Sequence, residues 1–229
     1  RAPRRPDGPR RGGAGAPERG LMGRGPGAAR GAASTVVLAS RSPRRVDILR
    51  AMGVAHEVDP ADVDETPLPG EAPAALALRL ARAKAAAVAA RRGPGAIVLG
   101  ADTTIDLDGA ILGQPRDDAD ARRMLHALSG RAHRVVTAVC VRRGDGALDG
   151  HDAAVVVMRP LPDELVEWYV ATGEPRGKAG AYAVQGRGAA LVASVRGAQS
   201  TVVGLPVALT ARLLGAHGLL GLAGGEGRQ

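Results

Sequence analysis

The sequence has one cysteine, Cys140, no phenylalanine and only three aromatic residues, Trp168, Tyr169 and Tyr182. A lone cysteine excludes a disulfide scaffold and any multi-cysteine zinc site. So few rings argue against a surface that stacks the bases of single-stranded nucleic acid. No apolar run approaches the ~18 residues that a membrane span requires, which excludes an integral membrane protein of the helical kind. Lysine is nearly missing as well, with only Lys84 and Lys178 among 31 basic residues. Arginine has replaced lysine almost everywhere, so the two survivors mark positions where a compact ammonium suits the chemistry better than a planar fork.

What is present suffices for a folded core. The chain has 229 residues, 45% hydrophobic and 24% charged, enough for one large domain or two small lobes. The net charge of +8 is unevenly placed. Residues 1–33 hold eight arginines against Asp7 and Glu18, a net of +6 that leaves +2 for the rest. The same stretch has nine glycines, five prolines and no hydrophobic period, so it is expected to stay disordered. It lacks the apolar segment of a secretory signal and the serines and amphipathic pattern of a transit peptide. It reads either as a nucleic-acid-binding arm or as a disordered or mis-started extension. The expected organisation is a tail over 1–33, a folded domain over 34–220 and a flexible C-terminus over 221–229.

Within the domain, strand and helix patterns alternate. Thr35–Ala39 is a β-branched run, and Ser42-Pro43 opens a helix through Met52, with serine at N-cap and proline at the first helical position. Pro73–Arg92 reads as a long alanine-rich helix with Leu76, Leu80 and Ala83 on one face, closed by Gly93-Pro94. Ala96–Leu107 and Ala110–Leu112 form a predicted hairpin about Asp108-Gly109. A helix follows over Asp117–Leu128, then strands over His133–Arg142 and Ala153–Met158. Pro162–Thr172 is a predicted helix with Leu165, Trp168 and Tyr169 turned inward. Strands over Ala181–Gln185 and Ala190–Val195 and a last helix over Leu205–Leu214 complete an α/β fold with a mixed sheet. No internal repeat is found.

Four places carry more chemistry than a core requires. Arg44 and Arg45 sit in the first turn of a helix, where the macrodipole disfavours cations. With Ser40, Ser42 and free backbone N–H groups they make an anion site, or else two solvated arginines. Asp102 lies in the otherwise apolar run Ala96–Ile105, where a carboxylate needs a partner, a metal or a raised pKa, unless it caps a strand end. Lys84 follows the Leu76–Leu80 line of its helix, where a snorkelling lysine would be ordinary. Lys178 sits in Thr172–Gly180, a loop that misses the phosphate-loop pattern, having three residues between Gly173 and Gly177 and Ala179 in place of Ser or Thr. Asp62, Asp64 and Glu65, expected in a loop between two helices, form an acidic cluster that reads either as a hard-cation site with water ligands or as ordinary surface. Gly23–Ala28 matches a dinucleotide motif only formally, since no strand precedes it. The five histidines show no zinc spacing, and neither a nucleophile elbow nor a Cys-His pair is present.

These residues also resemble a known family. Leu38-Ala-Ser-Arg-Ser-Pro-Arg-Arg45, Gly100-Ala-Asp-Thr103, Leu128-Ser-Gly130 with His133, Gly173-Glu-Pro175, Lys178-Ala-Gly-Ala-Tyr182, Gln185-Gly186 and Val203-Gly-Leu-Pro206 are similar to the motifs of the Maf nucleoside triphosphate pyrophosphatases. The likeness runs in order from Thr35 to Leu214. It implies an elongated mixed-sheet α/β fold with two lobes around a nucleotide cleft, similar to inosine triphosphate pyrophosphatases. The implied reaction is hydrolysis of a nucleoside triphosphate to the monophosphate and pyrophosphate, dependent on Mg2+ or Mn2+. The resemblance makes Asp102 the carboxylate that activates water and, with Glu65, holds the metal. Ser40, Arg44, Arg45 and Lys84 would grip the triphosphate, with Lys178 a further contact. Arg44, Thr103 and Gln185 align with positions that set base preference, and the Ser-Pro-Arg-Arg form resembles the dTTP/UTP-preferring branch rather than the 7-methyl-GTP branch. A homodimer in the cytoplasm is implied, with no membrane and no nucleic-acid partner. Three positions depart from the pattern: Gln114 stands where a lysine is usual, Gly177 replaces an aspartate, and Gln199-Ser200-Thr201 replaces a Ser-Asn-like segment. The alternative is a regulator of cell division, or a nucleic-acid binder, that senses nucleotides without hydrolysing them. Gln114 and the basic tail are the features on its side.

Overall fold

In the computed structural model, residues Thr35–Leu219 are described. The expectations for the tail over 1–33 and the C-terminus over 221–229 lie outside them.

The sheet has seven strands among the described residues: β1 (Val36–Leu38), β2 (His56–Val58), β3 (Ile97–Leu107), β4 (Ala110–Leu112), β5 (Ala132–Arg143), β6 (Gly146–Met158) and β7 (Val192–Arg196). Six helices accompany it: α1 (Pro43–Ala51), α2 (Pro73–Arg92), α3 (Asp118–Leu128), α4 (Asp163–Ala171), α5 (Gln199–Val203) and α6 (Val207–Ala216). The strand order is β2-β1-β3-β5-β6-β7, with β1 parallel to β2 and β3 and the other pairs antiparallel. The mixed α/β sheet expected from the sequence is therefore what forms.

One interruption in this sheet positions everything that follows. β5 runs the length of β3 on one edge, pairing Ile97 through Asp106. On the other edge β1 pairs only Ile97–Leu99 and β4 pairs only Ile105–Leu107. Gly100–Thr104 are left without a strand partner there, and the notch opens between the two short strands. Successive side chains of a strand point to opposite faces. Gly100, Asp102 and Thr104 thus face α2, while Leu99, Ala101 and Thr103 face α1 and α6.

Three apolar clusters flank the notch. Ala77, Ala81, Ala85 and Val88 of α2 pack on Val98, Val136 and Ala138. Leu49 of α1 and Leu205, Leu209, Leu213 and Leu214 around α6 pack on Leu99, Ala101 and Val139 from the other side. Beyond the notch, Ile105, Leu112, Met124, Leu125, Leu128, Val166 and Tyr169 gather α3 and α4 against the far ends of the long strands. Gly100 lets α2 come close: a Cβ there would lie 2.2 Å from the carbonyl oxygen of Ala81.

Four local expectations are corrected. Ala181–Gln185 is not a strand: Gly180 and Ala181 both take left-handed backbone, at φ of 67° and 60°, and the N–H of Ala183 goes to the Tyr169 hydroxyl at 3.2 Å rather than to a ladder. Trp168 is turned outward and is 46% exposed. The inner face of α4 is set by Val166, Tyr169 and Val170, and a residue two positions from Val166 falls on the far side of the helix. β6 begins at Gly146, not Ala153, because its polar first half still pairs in register with β5 (Arg143 opposite Gly146). The acidic loop does not simply link two helices, since β2 stands between α1 and that loop.

Candidate active site

A cavity of about 660 Å3 opens at the notch. Ser40, Arg44, Arg45, Glu65, Lys84, Asp102, Thr103, Lys178 and Gln185 all line it. The structure thus brings together, from five separate stretches of chain, every residue that the family resemblance assigns to the site. The volume falls within the range usual for small-molecule sites.

The α2 side of the cavity floor is an ion-pair chain. Lys84 follows Leu76, Ala77, Leu80 and Ala81 along the buried face of α2, and only 8% of it is exposed. Its Nζ donates to Asp102 Oδ1 at 2.6 Å and lies 2.7 Å from Glu65 Oε1. Burial pushes the Asp102 carboxyl pKa up, opposed by the positive charges of Lys84 and Arg45. A carboxylate in this setting is more basic than one in water and is paired with a buried ammonium.

The opposite side belongs to Arg45. The N-terminus of α1 points into the cavity, and Ser42 makes no side-chain cap; its N–H bonds instead to Ser40 Oγ at 3.2 Å. Arg45 donates through Nη1 to Ser40 Oγ at 2.8 Å, through Nε to the Gly204 carbonyl at 2.8 Å and through Nη2 to Thr103 Oγ1 at 3.2 Å. Thr103 Oγ1 shares a hydrogen bond with Thr137 Oγ1 at 2.9 Å, and Thr137 Oγ1 donates to the Thr201 carbonyl at 2.7 Å. A buried guanidinium thus ties β1, β3 and the end of α5 together, and burial lowers its pKa. Three of its five N–H donors are committed and two remain. Arg44, one position earlier, is half-buried, with its pKa also lowered by burial.

The rim is a strap over residues 173–188. Lys178 Nζ donates to the Glu174 carbonyl, and burial, followed by the neighbouring charge of Arg44, lowers its pKa. The Glu174 carboxylate accepts from the N–H groups of Arg187 at 3.1 Å and Gly188 at 3.2 Å. Tyr182 Oη bonds His133 Nε2 at 2.6 Å. These contacts fix the stretch that carries Gln185, an exposed residue, to the cavity.

Gln114 also lines the cavity, so the departure from the usual lysine lies at the site itself. Of the acidic loop only Glu65 reaches the cavity, while Asp64 accepts from the N–H of Thr66 at 2.9 Å. Among the described residues no group of three His, Cys, Asp or Glu side chains is placed to hold a metal.

The Maf-like protein family matches residues 35–217. The chain belongs to that family. A relative in Anaeromyxobacter dehalogenans named dTTP/UTP pyrophosphatase is 55% identical to this Maf-like chain over 186 residues, 80% of this chain and 93% of that protein. Another of the same name, from Symbiobacterium thermophilum, is 50% identical over 192 residues, 84% of this chain and 98% of that protein. Among solved structures, a Mycobacterium abscessus nucleoside-triphosphatase described as a dITP/XTP pyrophosphatase is similar at a TM-score of 0.40 and 18% identity, over 83% of this chain and 100% of that one.

Several members of the Maf-like site had no signal in the reading of single residues. The Gly204 carbonyl orders Arg45 from a position noted only within the Val203-Gly-Leu-Pro206 motif, and the Thr137 hydroxyl orders Thr103 from a position read only as strand. Arg41 and Arg176 line the cavity as well. In a chain this rich in arginine, nothing distinguishes them by residue type.

Proposed function

We propose that the chain hydrolyses nucleoside triphosphates, with dTTP and UTP preferred, to the monophosphate and pyrophosphate. The relatives carrying that activity in their names support it, and the cleft holds the parts the reaction requires. Six cationic side chains, Arg41, Arg44, Arg45, Lys84, Arg176 and Lys178, line it against two carboxylates, Glu65 and Asp102. Such an excess suits a polyphosphate. The observation that carries the reading is the buried Lys84–Asp102 pair at the notch. It favours hydrolysis over nucleotide sensing, which needs no raised carboxyl group.

In this reading Asp102 orients the attacking water at the α-phosphorus and takes its proton. Arg45, held rigid by Ser40, Thr103 and Gly204, offers its two remaining donors to the phosphates. Arg44 and Lys178 add charge where the leaving pyrophosphate becomes more negative. Thr103 and Gln185 face the base. The donor set fits a hard divalent cation: Asp102 and Glu65 present carboxylate oxygens within reach of one ammonium, and Mg2+ is commonly held by one or two carboxylates plus substrate phosphates. Mg2+ or Mn2+ held there would polarise the phosphoryl oxygens and offset their charge.

No helix among the described residues is long and apolar enough to cross a membrane. We also propose a cytoplasmic homodimer, on the family resemblance alone; light scattering of the purified chain tests the dimer. The activity is tested by pyrophosphate release with Mg2+ or Mn2+ across dTTP, UTP, CTP, GTP and 7-methyl-GTP. Release from dTTP and UTP that falls by about a thousandfold in Asp102→Asn is the expected result. No release from any of the five would refute the assignment.

A further inference from the structure

Lys84 Nζ stands 2.6 Å from Asp102 Oδ1 and 2.7 Å from Glu65 Oε1. Those are the two carboxylates assigned to the divalent cation, and the ammonium bridges them at the place a cation held by those same two oxygens would occupy. Two cations cannot share it. We propose that Lys84 is a stand-in for the metal, holding the Asp102–Glu65 pair until nucleotide arrives, so that metal binds with the triphosphate and not before it. This rests on the hydrolase reading above.

The argument is one of exchange. Lys84 is buried partway along the apolar face of α2, which runs through Leu80 and Ala81 before it and Ala85 and Val88 after it. A metal ion entering alone would push the ammonium off its two partners and leave it buried without a counter-charge, which is strongly disfavoured. The bare carboxylate pair is thus a poor metal site, although its oxygens are the right kind. A triphosphate changes this. Its oxygens give the ammonium a new anionic partner in the same cavity, and the vacated carboxylates are then free for the cation. Thermodynamic linkage makes the effect reciprocal: nucleotide tightens metal by the factor by which metal tightens nucleotide. Lys84 also has a second use before catalysis, because it keeps Asp102 and Glu65 from repelling each other in the free enzyme.

The scarcity of lysine makes the movement directly visible. With only Lys84 and Lys178 in the chain, protein labelled with 13C at the lysine ε-carbon gives two side-chain signals, which Lys178→Arg assigns. Millimolar Mg2+ alone should leave the Lys84 signal in place, while Mg2+ with a non-hydrolysable α,β-methylene analogue of dTTP should move it. A Lys84 signal that shifts and saturates with Mg2+ alone overturns the proposal. So does one that stays unmoved when both ligands are bound. In parallel, Mn2+ binding to nucleotide-free protein is followed by electron paramagnetic resonance. Lys84→Met and Lys84→Gln should each bind Mn2+ about tenfold tighter than wild type or better, with circular dichroism confirming that each is folded. Wild-type-like or weaker Mn2+ binding in folded variants refutes the stand-in role. Neither readout uses turnover, so a failed pyrophosphate assay and a failed exchange are told apart.

Discussion

Arg45 and Gly204 lie 159 positions apart in the chain, yet the guanidinium Nε donates to the glycine carbonyl at 2.8 Å across the floor of the cavity. The bond joins the first turn of α1 to the end of α5, and the same side chain also holds Ser40 and Thr103. An ammonium has no planar fork with which to reach three such partners. Arg45→Lys should therefore lose about 2 kcal/mol of stability, the cost of buried acceptors left unsatisfied. It should also raise KM for nucleotide, because the remaining donors are no longer aimed. Urea unfolding beside steady-state kinetics checks both, and unchanged stability would remove Arg45 from its structural role.

Gly100 sets how closely α2 approaches β3. A Cβ there would meet the Ala81 carbonyl oxygen at 2.2 Å and the Ala85 nitrogen at 2.7 Å, both backbone atoms of the helix that carries Lys84. Gly100→Ala should destabilise the fold by on the order of 3 kcal/mol, at the upper end of overpacking costs. Pyrophosphatase activity should fall further than the loss of folded protein explains, since the displaced helix carries Lys84 away from Asp102. A thermal melt and activity per folded molecule separate the two effects.

His133 is buried against Tyr182, and burial pushes its imidazole pKa down to about 4. The unfolded chain takes up a proton near pH 6.5 while the folded one stays neutral until about pH 4. Below pH 6.5 the unfolded state holds more protons, so stability falls with pH, by on the order of 3 kcal/mol once pH 4 is reached. His133→Gln should lose that part of the pH dependence while keeping a hydrogen-bonding group near Tyr182. Parallel urea titrations at about pH 7 and about pH 4.5 measure the difference, and identical slopes in the two proteins would contradict the account.

Gln114 lines the cavity where a basic side chain would add to the field on the phosphates. Gln114→Lys should raise kcat/KM for dTTP several-fold, with the gain shrinking as salt rises. A variant no faster than wild type would show that the neutral side chain costs nothing here.

Most of the site was legible in the sequence because its residues conflict with their surroundings. Asp102 in an apolar strand, two arginines at a helix start and lysines in a chain that otherwise avoids them each violate a local preference. The long helix Pro73–Arg92 was legible end to end from its proline start and glycine stop. What escaped has no such conflict. β2 is three residues long and half exposed, and α5 is a five-residue helix of Gln, Ser, Thr and Val, poor in strong helix formers. The polar first half of β6 gains its strand character from pairing with β5, which no local pattern reports. Gly204 acts through a carbonyl, and a carbonyl has no residue type. The side-chain ends of the site were written in the sequence; the backbone ends depended on the chain's long-range closure.

The notch along β3 has a consequence for how such a protein can change. β1 and β4 are three residues each, and no side chain of either lines the main cavity. Yet extending β1 by two residues would pair Gly100 and Ala101, extending β4 by as much would pair Thr103 and Thr104, and the two together would narrow the opening to Asp102. The reaction space is kept open by two strands stopping short. Small insertions and deletions at those two ends, within two residues of Ser40 and Gln114, are therefore able to close the site while Asp102 itself is untouched.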